Sequence, residues 1–272
     1  MEYKWVGSDK DYIDEINILQ LKNNLVLGRF GGNSSVGQYK NEDGCLIWIN
    51  EQDDWELATL LDAHDTAQSA DLVIKSMDEK KEEIKTILQL PLNKVFPQIT
   101  SFFLNHFASK EFLAQCKMIQ GETACLIVVR KKNYLWWLSI GDCILALNHP
   151  EFSKLGEYQQ NHRSFYEWIG QNSTFHQDVP TYNLGVKELR KGITHIFLTT
   201  DGLIECPNTD YHKIGSIFKG FETFSNQESV YYLLKDIKNK NIRDSTTIIS
   251  WFVRNTKEAT TPSDLGFSRE SS

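Results

Sequence analysis

The sequence contains no apolar run near the ~20 residues that a membrane-spanning helix needs. Its first segment, Met1 to Asp11, is polar and acidic and lacks the features of a signal peptide. An excess of basic residues is also absent: the formal net charge is −7, which argues against a nucleic-acid-binding protein. We therefore expect neither membrane nor nucleic acid as a partner. A phosphorylated ligand would have to meet a metal ion or a local basic group in so acidic a protein.

Cysteine is scarce and unpaired in the sequence. The five cysteines are odd in number and form no CxxC pair, which argues against a disulfide framework or a zinc knuckle. Cys45, Cys125 and Cys143 lie in or beside apolar, strand-like runs, so we interpret them as buried, reduced thiols. Reduced thiols fit a cytoplasmic location.

Regular βαβ alternation is absent too, and hairpins dominate the pattern instead. Apolar runs bounded by turn residues predict strands at 25–30, 45–50, 55–61, 125–130, 134–140, 144–147, 195–199 and 245–253. Helical periodicity predicts a helix from Thr66 that stops before Pro91, a second over 95–107 that Pro97 kinks or opens, and a third over 229–238. Hydrophobic residues make up 40% of the chain, enough for a substantial core. The order predicts an α+β protein with antiparallel sheets covered by helices.

No internal repeat or convincing linker divides the chain, so residues 1–254 are predicted to form one domain. Residues 150–192 have weak periodicity and are too long for an ordinary connection, which predicts a flap or insertion. Residues 255–272 are polar and rich in Ser and Thr, and we expect a disordered tail there.

Acidic residues recur where predicted strands end or begin. They are Glu42, Asp43, Asp62, Asp142, Asp201 and Asp244. Carboxylates gathered at one edge repel each other unless cations neutralise them, and oxygen ligands suit Mg²⁺ or Mn²⁺ rather than zinc. Two such ions can lower the pKa of a water and aim the hydroxide at phosphorus. Any one of these residues alone could be an ordinary turn former, so the ordered set carries the prediction.

The set resembles the ordered motifs of the metal-dependent protein phosphatases of the 2C type. The matching segments are Asn41-Glu42-Asp43-Gly44, Asp62-Ala63-His64, Gly121-Glu122-Thr123-Ala124, Gly141-Asp142, Thr200-Asp201-Gly202 and Asp244-Ser245-Thr246-Thr247, and the match runs from about Gly37 to Val253. The resemblance implies a four-layer α/β/β/α sandwich. It also implies hydrolysis of phosphoserine or phosphothreonine in a phosphoprotein substrate by a hydroxide that bridges two Mg²⁺ or Mn²⁺ ions.

The resemblance further implies a role for each matched residue. Asp62 would bridge both metals, and the carbonyl of Ala63 would bind one of them. Asp201 and Asp244 would complete the other, while Glu42 and Asp43 would act mainly through metal-bound waters. Asp142, with Asp201, would match the site where some members hold a third ion. His64 would be the general acid that protonates the leaving oxygen.

The sequence departs from the family pattern at the expected phosphate contact. The family usually has an arginine five residues before the aspartate of its first motif, and this position is Gln38 here. Lys40 would share a strand face with Gln38 and Glu42 because side chains alternate with period two, so we expect Lys40 to supply part of the phosphate contact. Ala63 and Asp65 replace two glycines of the second motif, and Cys143-Ile144 replaces a typical Ser-Arg.

Two alternative functions stay open at this point. Gln38 and the altered second motif also fit a weak or inactive phosphatase-like domain that binds a partner or phosphopeptide without turnover. The long segment 150–192 could instead build a pocket for a small-molecule phosphate.

Overall fold

The computed structural model describes residues 1–261, and strands form its centre. In chain order they are β1 (Glu2–Val6), β2 (Ile16–Gln20), β3 (Val26–Phe30), β4 (Gly44–Asn50), β5 (Trp55–His64), β6 (Glu122–Lys131), β7 (Tyr134–Ile140), β8 (Ile144–Asn148), β9 (Ile169–Gly170), β10 (Asn183–Glu188), β11 (Gly192–Thr199) and β12 (Thr246–Asn255). One sheet has the order β1-β4-β5-β6-β7-β10, with β9 also paired to β6, and the other has the order β2-β3-β12-β11-β8. All these pairings are antiparallel.

Helices cover the outer face of each sheet. They are α1 (Gln68–Glu79), α2 (Lys81–Gln89), α3 (Leu92–Phe107), α4 (Lys110–Cys116), α5 (Pro150–Ser153), α6 (Asp201–Ile204) and α7 (Asn226–Asn239). Short 3-10 helices lie at Lys22–Asn24, Ser34–Val36, Thr174–His176 and Ile214–Glu222. Helix α1 packs on β4, β5 and β6, whereas α7 packs on β2, β3 and β12. The predicted four-layer α/β/β/α sandwich with two antiparallel sheets is therefore confirmed.

Alternation along the central strands divides the core into layers. In β5, Leu57 and Leu61 face the helices α1 to α4, while Ala58 and Leu60 face the second sheet. A third apolar cluster lies between that second sheet and α7, and includes Phe197. Strands buried on both faces need apolar residues at nearly every position, which explains the continuous runs seen in the sequence.

The predicted strands from Val26 onward are present, with small shifts at their ends. The helix predicted from Thr66 to Pro91 is two helices, because the backbone of Lys80 (φ −94°, ψ 10°) interrupts the helix after α1. Pro97 lies inside α3, which begins five residues earlier, at Leu92 directly after Pro91. Strands β1 and β2 had no clear sequence pattern; each lies at the edge of a sheet.

The segment 150–192 is partly built into the first sheet, because β9 pairs with β6 and β10 pairs with β7. Strand β12 continues through Asn255, whose side-chain amide donates to the carbonyl of Leu189. Of the tail predicted from residue 255, residues 262–272 lie outside the described residues. All five cysteines are buried and free. Within residues 1–261, no helix combines the length and the apolar character needed to cross a bilayer.

A buried ion pair joins β5 and β6 at the end of the sheet away from Asp62. Glu56 and Arg130 are cross-strand partners, and both are almost fully buried. The Arg130 guanidinium donates to both carboxylate oxygens of Glu56, and also to the exposed Asp54. Asn23 Nδ2 adds a hydrogen bond of 2.9 Å to Glu56. Each charge of the buried pair depends on the other for compensation.

We predict that Glu56→Gln lowers the free energy of unfolding by about 3–5 kcal/mol, because it leaves a buried guanidinium without its counter-charge. The matched variant Asp54→Asn removes an exposed partner of the same arginine and should cost less than about 1 kcal/mol. Urea unfolding of both variants measures the difference. Equal, small losses in the two would show that the buried pair does not stabilise the sheet.

Candidate metal centre

The two sheets bring the predicted acidic residues to one edge of the sandwich. Asp62 shares the inner face of β5 with Ala58 and Leu60 because side chains alternate along the strand. It lies within β5 rather than just past the end of the hairpin as predicted. Asp142 lies in the turn between β7 and β8, and Asp201 is the first residue of α6, directly after β11. The edge therefore collects carboxylates from both sheets.

Two glycines allow this close approach. Gly141 has a φ of +85°, and a Cβ atom there would lie 2.5 Å from the Cβ of Ala124. A Cβ atom on Gly202 would lie 2.3 Å from the carbonyl oxygen of Ser245. Side chains at either position would push the turn bearing Asp142, or the start of α6, away from the neighbouring strand.

Asp62, Asp142 and Asp201 form a compact group. Each offers a carboxylate oxygen, and these three oxygens lie within 4.8 Å of one another. Asp62 Oδ2, Asp142 Oδ1 and Asp201 Oδ1 are buried and have no hydrogen-bond partner. Burial raises the pKa of Asp62 well above its usual value and that of Asp201 to about 7, and the neighbouring carboxylates add to both shifts. Such a group carries more negative charge than the protein around it can compensate.

Asp43 connects the two sheets beside this group. It precedes β4 of the first sheet, is fully buried, and accepts hydrogen bonds from the hydroxyls of Ser245 (2.8 Å) and Thr247 (2.6 Å), at the start of β12 in the second sheet. Burial raises the pKa of Asp43 to about 7, although the two hydroxyls act in the opposite direction. Both of its oxygens thus have partners, unlike those of Asp62 and Asp201.

Asp244, also predicted as a ligand, lies just before β12 and is exposed at the rim. Its charge raises the pKa of Asp62, and it also raises that of Asp201. It therefore belongs to the same electrostatic group, on the solvent side.

Gln38, Lys40 and Glu42 do not form the strand face that the sequence predicted. Residues 37–43 are irregular, because the chain turns after the 3-10 helix Ser34–Val36 and only enters β4 at Gly44. Gln38 Nε2 donates to the carbonyl of Lys40 at 2.6 Å. Lys40 Nζ lies 2.8 Å from Glu42 Oε1 and donates to the carbonyl of Asp65 at 2.6 Å. The contact with Glu42 raises the pKa of Lys40 above its usual value.

His64 ends β5 two residues after Asp62, and its side chain is exposed. Burial raises the pKa of Asp142, while the charges of Arg163 and then His64 oppose that rise. The imidazole thus lies within electrostatic reach of the group. Ala63 is buried in extended backbone, and the left-handed position is Asp65 (φ 73°), a conformation that Asp tolerates better than most residues.

Arg163 contacts the acidic group and was not identified from the sequence. Its Nη2 lies 3.6 Å from Asp142 Oδ2, 3.9 Å from Asp201 Oδ2 and 2.6 Å from Glu205 Oε1. It comes from the segment 150–192, where no motif or periodicity marked it. Only the fold places it against carboxylates 21 and 38 positions away in the sequence.

A cavity of about 450 Å³ lies away from the acidic edge and is lined by the buried pair of Glu56 and Arg130 and by Asn255. Its buried charges compensate each other directly. It therefore lacks the unpartnered oxygens that distinguish the acidic edge.

The residues at that edge fit a divalent cation. The three unpartnered oxygens are hard ligands, and the group has no thiolate or imidazole within the same cluster. Oxygen-only donor sets are typical of Mg²⁺ and Mn²⁺ sites, and a cation would remove the repulsion that the carboxylates otherwise exert.

Comparison with known proteins supports the fold but rests on structure rather than sequence. No protein-family model matches the chain, and no curated protein matches its sequence. Among solved structures, the Mycobacterium tuberculosis serine/threonine phosphatase PstP/Ppp is 15% identical, with a TM-score of 0.61, covering 85% of this chain and 98% of that one. The catalytic domain of PstP in complex with two manganese ions is 17% identical, with a TM-score of 0.56, covering 84% and 97%.

RsbX in complex with magnesium is similar as well, at 12% identity and a TM-score of 0.56, covering 88% of this chain and 100% of that one. The chain thus has the fold of these proteins along nearly its whole described length. This agrees with the fold that the motif resemblance implied.

We predict that divalent cations stabilise the protein more at about pH 8 than at about pH 5. The folded-state pKa values of Asp43 and Asp201, about 7, exceed the ordinary value of 3.8. At pH values between 3.8 and about 7, the folded state binds more protons than the unfolded state, so the metal-free protein loses stability as pH rises through this range. A cation replaces those protons, and 100-fold excess over Kd adds about 2.7 kcal/mol.

Thermal unfolding with EDTA and with MnCl₂ at both pH values measures this effect. The control is Asp62→Asn, which should lose most of the cation-dependent rise in Tm. An equal rise at the two pH values, or no rise at all, would contradict the prediction.

Proposed function

We propose that this protein is a Mg²⁺- or Mn²⁺-dependent phosphatase that hydrolyses phosphoserine or phosphothreonine in proteins. The observation that carries the proposal is the group of Asp62, Asp142 and Asp201. Each offers a carboxylate oxygen within 4.8 Å of the others, and each has one buried oxygen without a hydrogen-bond partner. The shared fold with serine/threonine phosphatases supports it. The presence of manganese in PstP and of magnesium in RsbX supports the choice of cation.

The proposed ligands are Asp62, Asp201 and Asp244, with the carbonyl of Ala63. When bound, two such ions supply a Lewis acid that lowers the pKa of a water and polarises a phosphoryl oxygen. Glu42 and Asp43 would act mainly through metal-bound waters rather than as direct ligands. For Asp43 this agrees with its hydrogen bonds to Ser245 and Thr247, which fix the carboxylate and join the sheets at the site.

His64 is the proposed general acid. Its side chain is exposed at the end of β5, so it can reach a substrate oxygen from the solvent side. The leaving serine or threonine oxygen needs a proton as its bond to phosphorus breaks, and an imidazolium is a suitable donor near neutral pH. Asp62, two residues earlier, orients the reacting groups from the buried side.

Lys40 and Gln38 are the proposed phosphate contacts. Lys40 carries a positive charge at the rim, next to Glu42 and the carbonyl of Asp65. Gln38 lies beside it, but its side-chain amide already donates a hydrogen bond to the Lys40 carbonyl. Lys40 is therefore the stronger candidate, as a single point charge rather than the two-pronged contact that arginine makes.

A protein substrate is favoured by the open cleft beside the acidic group. It has a volume of about 440 Å³ and is lined by residues from three loops, including Asp9, Tyr39, Lys40 and Asp65. Tyr39 is 71% exposed, so its ring is free to pack against a bound chain. An open surface cleft can hold an extended polypeptide next to the acidic group, whereas small molecules usually bind in enclosed pockets.

The second candidate is a phosphopeptide-binding domain without turnover. The orientation of Gln38 favours it, because the position where the family has its phosphate-gripping arginine is turned toward the backbone. Calorimetry with a phosphopeptide, followed by assay of released phosphate, separates the two. Binding without release would favour the binding domain.

We predict that Mn²⁺ supports hydrolysis of phosphopeptides and that Asp201→Ala lowers kcat by about 100-fold or more. Mutation of a residue that only orients a metal ligand typically lowers metal affinity or activity 10- to 100-fold, so loss of a direct ligand should lower activity at least as much. Phosphate release is measured with phosphopeptides and with small phosphate esters. The control, Asp53→Ala, lies in the turn at the other end of β5 and should keep its activity. No turnover by the parent protein with Mn²⁺ at several pH values would reject the proposal.

We also predict that Lys40→Ala raises KM for a phosphopeptide by about tenfold, because it removes a cation from the phosphate contact. Lys75→Ala is the matched control, since Lys75 is an exposed lysine that pairs with Asp71 along α1. Steady-state kinetics of the two variants measures the effect. An unchanged KM and kcat in Lys40→Ala would show that Lys40 does not contact the phosphate.

A further inference from the structure

Arg163 is held over the acidic group by its own segment rather than by chance contact. The neighbouring Asn161 is buried, and its side chain bonds to Ser139 Oγ (2.9 Å), the carbonyl of Cys143 (2.7 Å) and the backbone N–H of Leu145 (2.8 Å). On the other side, the backbone N–H of Ser164 donates to the carbonyl of Gly141 at 2.9 Å. These bonds fix residues 161–164 against the turn that carries Asp142.

The guanidinium itself has further partners. Arg163 Nε donates to the backbone carbonyl of Asp142 at 3.3 Å, and the group lies 4.8 Å from the ring centroid of Phe165. Glu205, just after α6, accepts from Nη2 at 2.6 Å. The side chain is only 19% exposed. Its position is therefore determined by backbone, aromatic and carboxylate contacts together.

The carboxylates of Asp142 and Asp201 each have two distinguishable sides. Their Oδ2 atoms lie 3.6 and 3.9 Å from Arg163 Nη2, whereas their Oδ1 atoms are buried without a partner, as is Asp62 Oδ2. The Oδ2 side already has a positive charge in place. The two Oδ1 atoms, together with Asp62 Oδ2, have no partner and could accept an ion.

We propose that Arg163 is a built-in cation on the outer side of Asp142 and Asp201, which keeps a divalent ion from binding there. A divalent ion on that side would meet a fixed positive charge within a few ångströms, and their repulsion in a partly buried place is strong. Ions are thereby restricted to Asp62 Oδ2, to the Oδ1 atoms of Asp142 and Asp201, and to Asp244. The protein then binds two divalent ions, and Asp142 pairs with Arg163 instead of binding a third ion. This inference rests on the proposed metal site.

The test counts bound Mn²⁺ by calorimetry, with electron paramagnetic resonance of free Mn²⁺ as a second readout. The parent protein should bind two ions. Arg163→Met keeps the length and apolar contacts of the side chain but removes its charge, so it should bind one more ion, or bind its weakest ion about tenfold more tightly. Adding Asp142→Asn to that variant should abolish the gain. Arg190→Met, in the same segment but paired with Glu151, should behave as the parent.

Arg163→Gln provides a second route if Arg163→Met does not fold. Glutamine keeps a polar side chain that can still donate to Glu205 or to the carbonyl of Asp142 but carries no charge, so the extra ion should again bind more tightly than in the parent. A parent that binds no Mn²⁺ would refute the proposed function itself. A parent that binds three ions, or folded Arg163→Met and Arg163→Gln variants with unchanged stoichiometry and affinity, would overturn this inference while leaving the metal-dependent function intact.

Discussion

The need to compensate negative charge at one edge of the sandwich governs the arrangement around it. Asp62, Asp142 and Asp201 come close enough that burial and mutual repulsion both disfavour their charged forms. Three features compensate this charge or allow its compensation. The hydroxyls of Ser245 and Thr247 donate to Asp43, Arg163 lies beside Asp142 and Asp201, and unpartnered oxygens are suited to a cation. The hydroxyls act on Asp43 and Arg163 acts on Asp142 and Asp201, so removal of either leaves different carboxylates uncompensated.

The core of the fold was predictable because its sequence pattern is local. Strands β4 to β7 are continuous apolar runs, and α7 follows a clear helical period. Strands β1 and β2 were not predictable, because an edge strand has one neighbour and tolerates polar residues such as Lys4 and Asn17. The break at Lys80 likewise has no proline or glycine to mark it. The apolar stripe continues across it from Met77 to Ile84, so periodicity alone predicts one helix.

The acidic group was predictable for a different reason. Its members follow or precede strong strand patterns, and antiparallel sheets return such positions to the same edge. Arg163 and the hydroxyls of Ser245 and Thr247 act across the sheets or from a segment without periodicity. Their roles depend on distances between elements, which a linear pattern does not contain. The expected strand face of Gln38, Lys40 and Glu42 was wrong for the same reason, because contacts with Asp65 and Glu42 hold Lys40 in an irregular loop.

The side chains of Arg163 and Lys40 differ in how firmly the structure holds them. Arg163 is fixed by Glu205, Phe165 and the backbone of Asp142, so moving it would break several contacts at once. Lys40 lies at the open cleft, with a flexible four-carbon stem and fewer constraints. Under the proposed function, a phosphate that enters this cleft would meet Lys40, while Arg163 stays beside Asp142. Because Gln38 carries no charge, Lys40 would supply the cation for the phosphate in this proposal, and Arg163 is the cation beside Asp142 and Asp201.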